Sequence, residues 1–230
     1  MNLGGWGEYL LAFAAFLGSH AIPSRPGLKA WLMAHLGRKG YVTVFSLLST
    51  ALLFWLIFAA GRAPYVELWG WAHWQIWLVN LTMPVVVVLS VFGIGTPNPL
   101  SFGGRSNGFD PEHPGIAGVV RHPLLWALLL WSLAHLIANG DLAHALLFGG
   151  FAAFSVMGMK LIDRRHTRVW GAEEFMKMTA RTSTLPFAAW ISGRWHPQQG
   201  PSIFRLLISV AVWLALLLLH PSVIGVSPLP

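Results

Sequence analysis

Three histidines of this 230-residue chain stand where hydrocarbon surrounds them. His20 closes the apolar run YLLAFAAFLGSH, His122 sits between an arginine and a proline at the head of RHPLLWALLLW, and His135 lies inside WSLAHLIANGD. An imidazole in such a place can coordinate a metal through a neutral nitrogen, carry a proton, or hydrogen-bond a nearby carbonyl or hydroxyl and do no chemistry. On a straight helix Ser132, His135 and Asn139 share one face, being three and four residues apart. Thirteen residues separate His122 from His135, about 20 Å of helical rise, so one unbroken helix cannot offer both to the same iron. The two must have different jobs. Arg121-His122-Pro123 reads either as a helix start with cations at the membrane boundary or as a site recognising an anion or a cofactor.

Other chemistries are thinner. With no cysteine the chain has no disulfide, thiolate zinc site, iron-sulfur ligation or thiol nucleophile, and any metal must be held by His, carboxylate, Met or Tyr. Glu173 and Glu174, in a loop crowded with Arg and Lys, read as a solvated salt network. No Ser-His-Asp constellation and no phosphate-cradling glycine motif stands out.

The elements that must position these residues follow from composition. A chain with 55% hydrophobic residues, 13 Trp and only 10% charged residues is a membrane protein. A bilayer core needs about 20 apolar residues per helix, and six stretches offer themselves: 6–22, 41–60, 72–95, 124–138, 142–162 and 203–219. ALLFWLIFAA and VVVVLSVFGI are apolar on all sides, which predicts helices and excludes the alternation of a membrane barrel. MNLGGWGE carries no Lys or Arg ahead of the first apolar run, so that run is read as a helix and not as a cleaved signal. The fold class expected is all-α, six transmembrane helices in one bundle and one domain over residues 1–230. Of the 15 Lys and Arg, fourteen fall in alternate loops and only Arg62 in the others. This bias places both termini on the periplasmic side of a bacterial inner membrane, and it assigns the charge of +7 to topology and lipid contact, with no nucleic-acid partner. Leu28, Trp31, Leu32 and Leu36 predict a short interfacial helix. Pro84 should kink the third span, residues 96–123 should fold as a cytoplasmic cap, and Asn139-Gly140-Asp141 should close a tight hairpin.

The stretches GSHAIPS, GRKGYVTVFSLLS, GRAPYVELW, RHPLLWALLLWSLAHLIANGDLAHALLFGGFAAFS and TSTLPFAAW carry a resemblance. The chain resembles the NnrU family of bacterial membrane proteins across nearly its full length, which implies an association with denitrification and the handling of nitrite and nitric oxide, with a membrane complex of that pathway as a candidate partner. It is also similar to the fifteen-cis-zeta-carotene isomerase family of plants and cyanobacteria, which implies haem b as cofactor and a small lipid-soluble substrate. That resemblance makes His20 and His135 the implied iron ligands, with Ser132 or a helix carbonyl holding His135, and leaves Arg121 and His122 to cofactor recognition at the helix start. No cysteine stands near His135, so a thiolate has no part. Depth along the spans points elsewhere, pairing His20 with His122 and His135 with His144.

Two further readings stay open. Arg121-His122-Pro123 followed by Glu173-Glu174 is similar to the pattern of isoprenylcysteine and phospholipid methyltransferases, which implies S-adenosylmethionine. An assembly or transport helper whose histidines only tie helices together needs no cofactor.

Overall fold

The computed structural model describes residues 4–23 and 25–229. Residues 1–3 and 230, included in the single-domain expectation, and Ser24 of the GSHAIPS stretch lie outside the described residues. In chain order the helices are α1 (Gly4–Ala21), α2 (Pro26–Arg62), α3 (His73–Gly93), α4 (Ile116–Val119), α5 (Pro123–Ala138), α6 (Leu142–Trp170), α7 (Ala172–Thr179), α8 (Ala188–Ile191) and α9 (Ile203–Ile224). Extended pairing among the described residues is limited to two isolated bridges. The all-α expectation holds, since apolar chain that cannot bond water closes its backbone hydrogen bonds within helices.

Each of the six apolar stretches is helical. Among the described residues four helices are long and apolar enough to cross a bilayer: α2, α3, α6 and α9. α5 is apolar but has only 16 residues. The interfacial helix expected at Leu28–Leu36 forms the first part of α2 and is set off from the rest by Gly37, whose φ of 67° is a left-handed conformation that favours glycine. α3 runs through Pro84 as one helix, and the turn between α5 and α6 is the three residues expected.

The chain divides into two compact units, Met1–Gly70 with Gly140–Leu147, and Trp71–Asn139 with Phe148–Pro230. In the first, α1 packs along α2. Tyr9 of α1 is buried and its hydroxyl donates to the Ala143 carbonyl at 2.9 Å, a partner an enclosed phenol requires. The segment after α2 pairs with the start of α6: Leu68 N–H donates to the Gly140 carbonyl at 2.7 Å and Leu142 N–H to that of Val66 at 2.9 Å. Gly140 allows this approach, because a Cβ there would lie 1.9 Å from the Trp69 carbonyl oxygen.

In the second unit α3 is the central helix, packed on both α5 and α9. Val86, Leu89, Val120 and Ala127 form one buried cluster, and Leu125, Leu129, Ala152 and Met159 join α5 to α6 in another. Arg205, in the first turn of α9, donates to the carbonyls of Val91 and Ile94 at the end of α3, where four backbone acceptors lack helical donors.

Candidate functional site

α5 has a histidine near each end, and the surroundings of the two differ. His122 is the N-cap residue; Pro123 begins the helix because its ring fixes a helical φ and its missing N–H falls where no helical acceptor exists. The imidazole is fully buried. Its Nδ1 lies 3.1 Å from Ser101 Oγ and its Nε2 3.2 Å from Asp163 Oδ1. The other carboxylate oxygen of Asp163 accepts from Arg121 Nη1 at 2.5 Å and from the Thr184 hydroxyl at 3.4 Å. Arg121 Nε donates to Thr182 Oγ1 at 3.0 Å, and the guanidinium stands 5.6 Å from the centroid of the Phe175 ring.

Four segments meet here. α6 supplies Asp163, the chain after α7 supplies Thr182 and Thr184, and the loop after α3 supplies Ser101 and Asn98, whose amide donates to the Arg121 carbonyl at 3.0 Å. That loop is shaped by a glycine: a Cβ on Gly104 would lie 2.2 Å from the Asn98 carbonyl oxygen. A charge this enclosed is tolerable only because the carboxylate and the guanidinium are paired and further hydrogen-bonded. The cap expected over residues 96–123 is thus a folded loop holding the head of α5.

His135 takes its hydrogen bond from its own helix. Its Nδ1 donates to the Trp131 carbonyl, four residues back, at 2.9 Å, and the ring lies 5.2 Å from Trp131 and 5.3 Å from Phe148, centroid to centroid. A carbonyl only accepts, so Nδ1 carries the hydrogen and Nε2 of the neutral ring carries the lone pair. Ser132 does not hold the imidazole: its hydroxyl donates to the Leu128 carbonyl at 2.6 Å. Of the two expected holders, the helix carbonyl is the one observed.

His20, in the first unit, repeats the arrangement. Nδ1 meets the Phe16 carbonyl at 2.8 Å, Nε2 lies 3.2 Å from Ser49 Oγ, and Phe16 and Phe45 pack on the ring. His35 does the same on Trp31. An aromatic residue four positions before the histidine is common to all three, a spacing visible in FLGSH, WLMAH and WSLAH. His144 is engaged in its own turn, its Nδ1 2.7 Å from Asp141 Oδ2.

The structure therefore brings Arg121 and His122 together, around a carboxylate that the sequence reading passed over. Asp163 is the only acid in LIDRRHTRVW, and an isolated acid between an apolar span and a basic run was its one signal. Glu173 and Glu174 are exposed on the first turn of α7, as a solvated pair should be, and the carboxylate that meets His122 is Asp163. Among the described residues no group of three or more His, Cys, Asp or Glu is placed to hold a metal ion. A haem requires less, because its macrocycle supplies four nitrogens and the protein one or two axial ligands.

Apolar helices long enough to cross a membrane, with a buried Arg-Asp-His cluster in the second unit, define a helical membrane protein. The chain belongs to the NnrU family, described as NnrU protein, whose model matches residues 8–228. Curated relatives are the chloroplastic 15-cis-zeta-carotene isomerases of Arabidopsis thaliana, 36% identical over 80 residues, and Zea mays, 35% identical over 80 residues. The matched segment covers 35% of this chain and 22% of each relative, so the chain spans about a fifth of the length of the curated relatives it matches. No solved structure matches.

Proposed function

We propose that this protein is a haem-binding, multi-pass membrane protein that isomerises a lipid-soluble substrate, and that His20 and His135 are the residues that would hold haem b. The observation that carries the reading is the lock on these two imidazoles. Each bonds a carbonyl four residues back through Nδ1, which fixes the tautomer, orients the ring and makes Nε2 the coordinating nitrogen, as second-shell acceptors do for metal-bound histidine. Aromatic neighbours pack on both rings. Bound there, the haem supplies a one-electron centre, and its polarity and axial ligation are what the protein can tune. The relatives named for isomerisation favour that activity over the handling of nitrite or nitric oxide. Six crossings, with both termini periplasmic in a bacterial inner membrane, complete the reading; fourteen of the 15 Lys and Arg in alternate loops support it.

The test is an optical spectrum of the full-length protein, purified after expression with ample haem supply. A six-coordinate low-spin Soret band is expected; its absence ends the haem reading. His20→Ala and His135→Ala should each convert it to high-spin or lose the haem, while His122→Ala should leave it in place. Loss of the low-spin signal in His122→Ala with retention in His135→Ala would reverse the assignment. For topology, alkaline phosphatase fused after Pro230 should be active, and inactivity there overturns the six crossings.

A further inference from the structure

The head of α5 has a chemistry of its own, independent of any haem. His122 is fully buried between a hydroxyl on Nδ1 and a carboxylate on Nε2. An ionised carboxylate only accepts, so the arrangement that satisfies both contacts has the imidazole hydrogen on Nε2, facing Asp163, and the lone pair on Nδ1, facing Ser101. The Ser101 hydroxyl must then donate to the imidazole. His122 Nε2 and Asp163 Oδ1 are both buried without a hydrogen-bond partner and face each other at 3.2 Å, while Arg121 occupies the remaining carboxylate oxygen. Ser101 is half-buried and Phe102 beside it is exposed, so the loop that carries the hydroxyl is partly open to its surroundings. An apolar groove of about 240 Å³ follows the α3–α5 face, lined by Val86, Ser90, Leu124, Ala127, Leu128 and Trp131. Leu124 connects the two: it lines the groove, and its side chain lies where a Cβ on Gly103 would fall, 2.1 Å away.

We propose that Ser101, His122 and Asp163 form a hydroxyl-activating triad for acyl transfer from an ester-linked amphiphile, with the acyl chain in the α3–α5 groove and the ester carbonyl at Ser101. In the first step Ser101 Oγ bonds to the carbonyl carbon as its proton passes to His122 Nδ1, and Asp163 steadies the imidazolium through Nε2. Collapse of the tetrahedral adduct breaks the bond to the alcohol oxygen, which leaves with the proton from Nδ1. Water then repeats the sequence on the acyl-serine, releasing the carboxylic acid and restoring the hydroxyl. Arg121, paired with Asp163 and Thr182, is a positioning residue. The charged and titratable groups around His122 are Asp163, Arg121 and His166, which lies one turn along α6 from Asp163 and interacts electrostatically with both.

A fluorophosphonate probe on the purified full-length protein in phosphatidylcholine vesicles tests this. Wild type should be labelled, Ser101→Ala should not, and Ser106→Ala, altered at an exposed serine of the same loop, should label as wild type. Asp163→Asn should slow labelling at least about 10-fold, since it removes the acceptor that fixes the tautomer. Protein expressed with and without added haem supply should label alike, which separates this result from the haem reading. A second measurement does not depend on the probe: the chain has no cysteine, so Ser101→Cys introduces its sole thiol. Iodoacetamide should alkylate that thiol at a pH about one unit or more below the ordinary thiol range, and adding His122→Gln should restore the ordinary profile. Absence of wild-type labelling, labelling that survives Ser101→Ala, or an ordinary thiol profile unmoved by His122→Gln each overturns the triad.

Discussion

The two imidazoles of α5 stand thirteen residues apart on one helix and are held in opposite ways. His135 takes its hydrogen bond from its own helix, four residues back, and its aromatic neighbours from α5 and α6. His122 takes nothing from its own helix: Ser101 is 21 residues before it and Asp163 lies on α6. A locally locked ring keeps one nitrogen for a ligand, whereas a ring clamped on both nitrogens is suited to moving a proton or tying segments together. The difference separates a candidate metal ligand from a candidate acid-base residue without appeal to the metal itself.

The largest effect that can break this comparison is Asp163→Ala. It strands the Arg121 guanidinium, whose side chain is 11% exposed, and should cost about 3 to 5 kcal/mol, the range for removing one partner of a buried pair. His135→Ala should cost less than half of that, because the Trp131 carbonyl keeps its helix-ladder donor and no charge is stranded. Thermal unfolding of both variants in one detergent checks the ranking, and equal losses would mean that the two ends of α5 are held alike.

Gly104→Ala sharpens it next. The added methyl would press on the Asn98 backbone, and overpacking of this kind costs about 1 to 3 kcal/mol. The damage should stay at the His122 end, lowering the unfolding temperature while sparing the Soret band; a spectrum that changes as in His135→Ala would show the ends to be coupled.

Ser132→Ala should have a smaller effect, about 1 kcal/mol or less, since the hydroxyl bonds only a carbonyl of its own helix that already serves the helix ladder. The haem spectrum should not move. A shift would assign the support of His135 to Ser132 in place of the Trp131 carbonyl.

The smallest effect is in the loop over the His122 end. Asp110, exposed and hydrogen-bonded by the His113 ring and by the Glu112 amide, has its carboxyl held below the usual carboxylate range by those two donors. A group with a lowered folded pKa contributes stability above its unfolded value, about 3.9, and loses it as the pH falls through the lower folded value. A slight acid sensitivity of unfolding below about pH 4 should therefore be weaker in Asp110→Asn. An identical pH profile would show that this turn adds nothing to the cap.

The sequence alone determined the helical class, the six apolar stretches, the three-residue turn before α6 and the broken interfacial start of α2. These depend on composition and on spacing within one segment, where hydrocarbon run length and glycine or proline punctuation act directly. The lock on His20 and His135 was legible for the same reason, since a carbonyl four residues back is a property of any helix and the aromatic partner occupies that same position. The surroundings of His122 were decided by tertiary structure. Asp163, Ser101, Thr182 and Thr184 come from three other segments, and nothing in the local pattern of RHPLLW or LIDRRHTR names the other. Packing α5 against α6 excluded water from an arginine and a carboxylate at once, and a pair so enclosed persists only with the further donors that the loops after α3 and α7 fold back to supply.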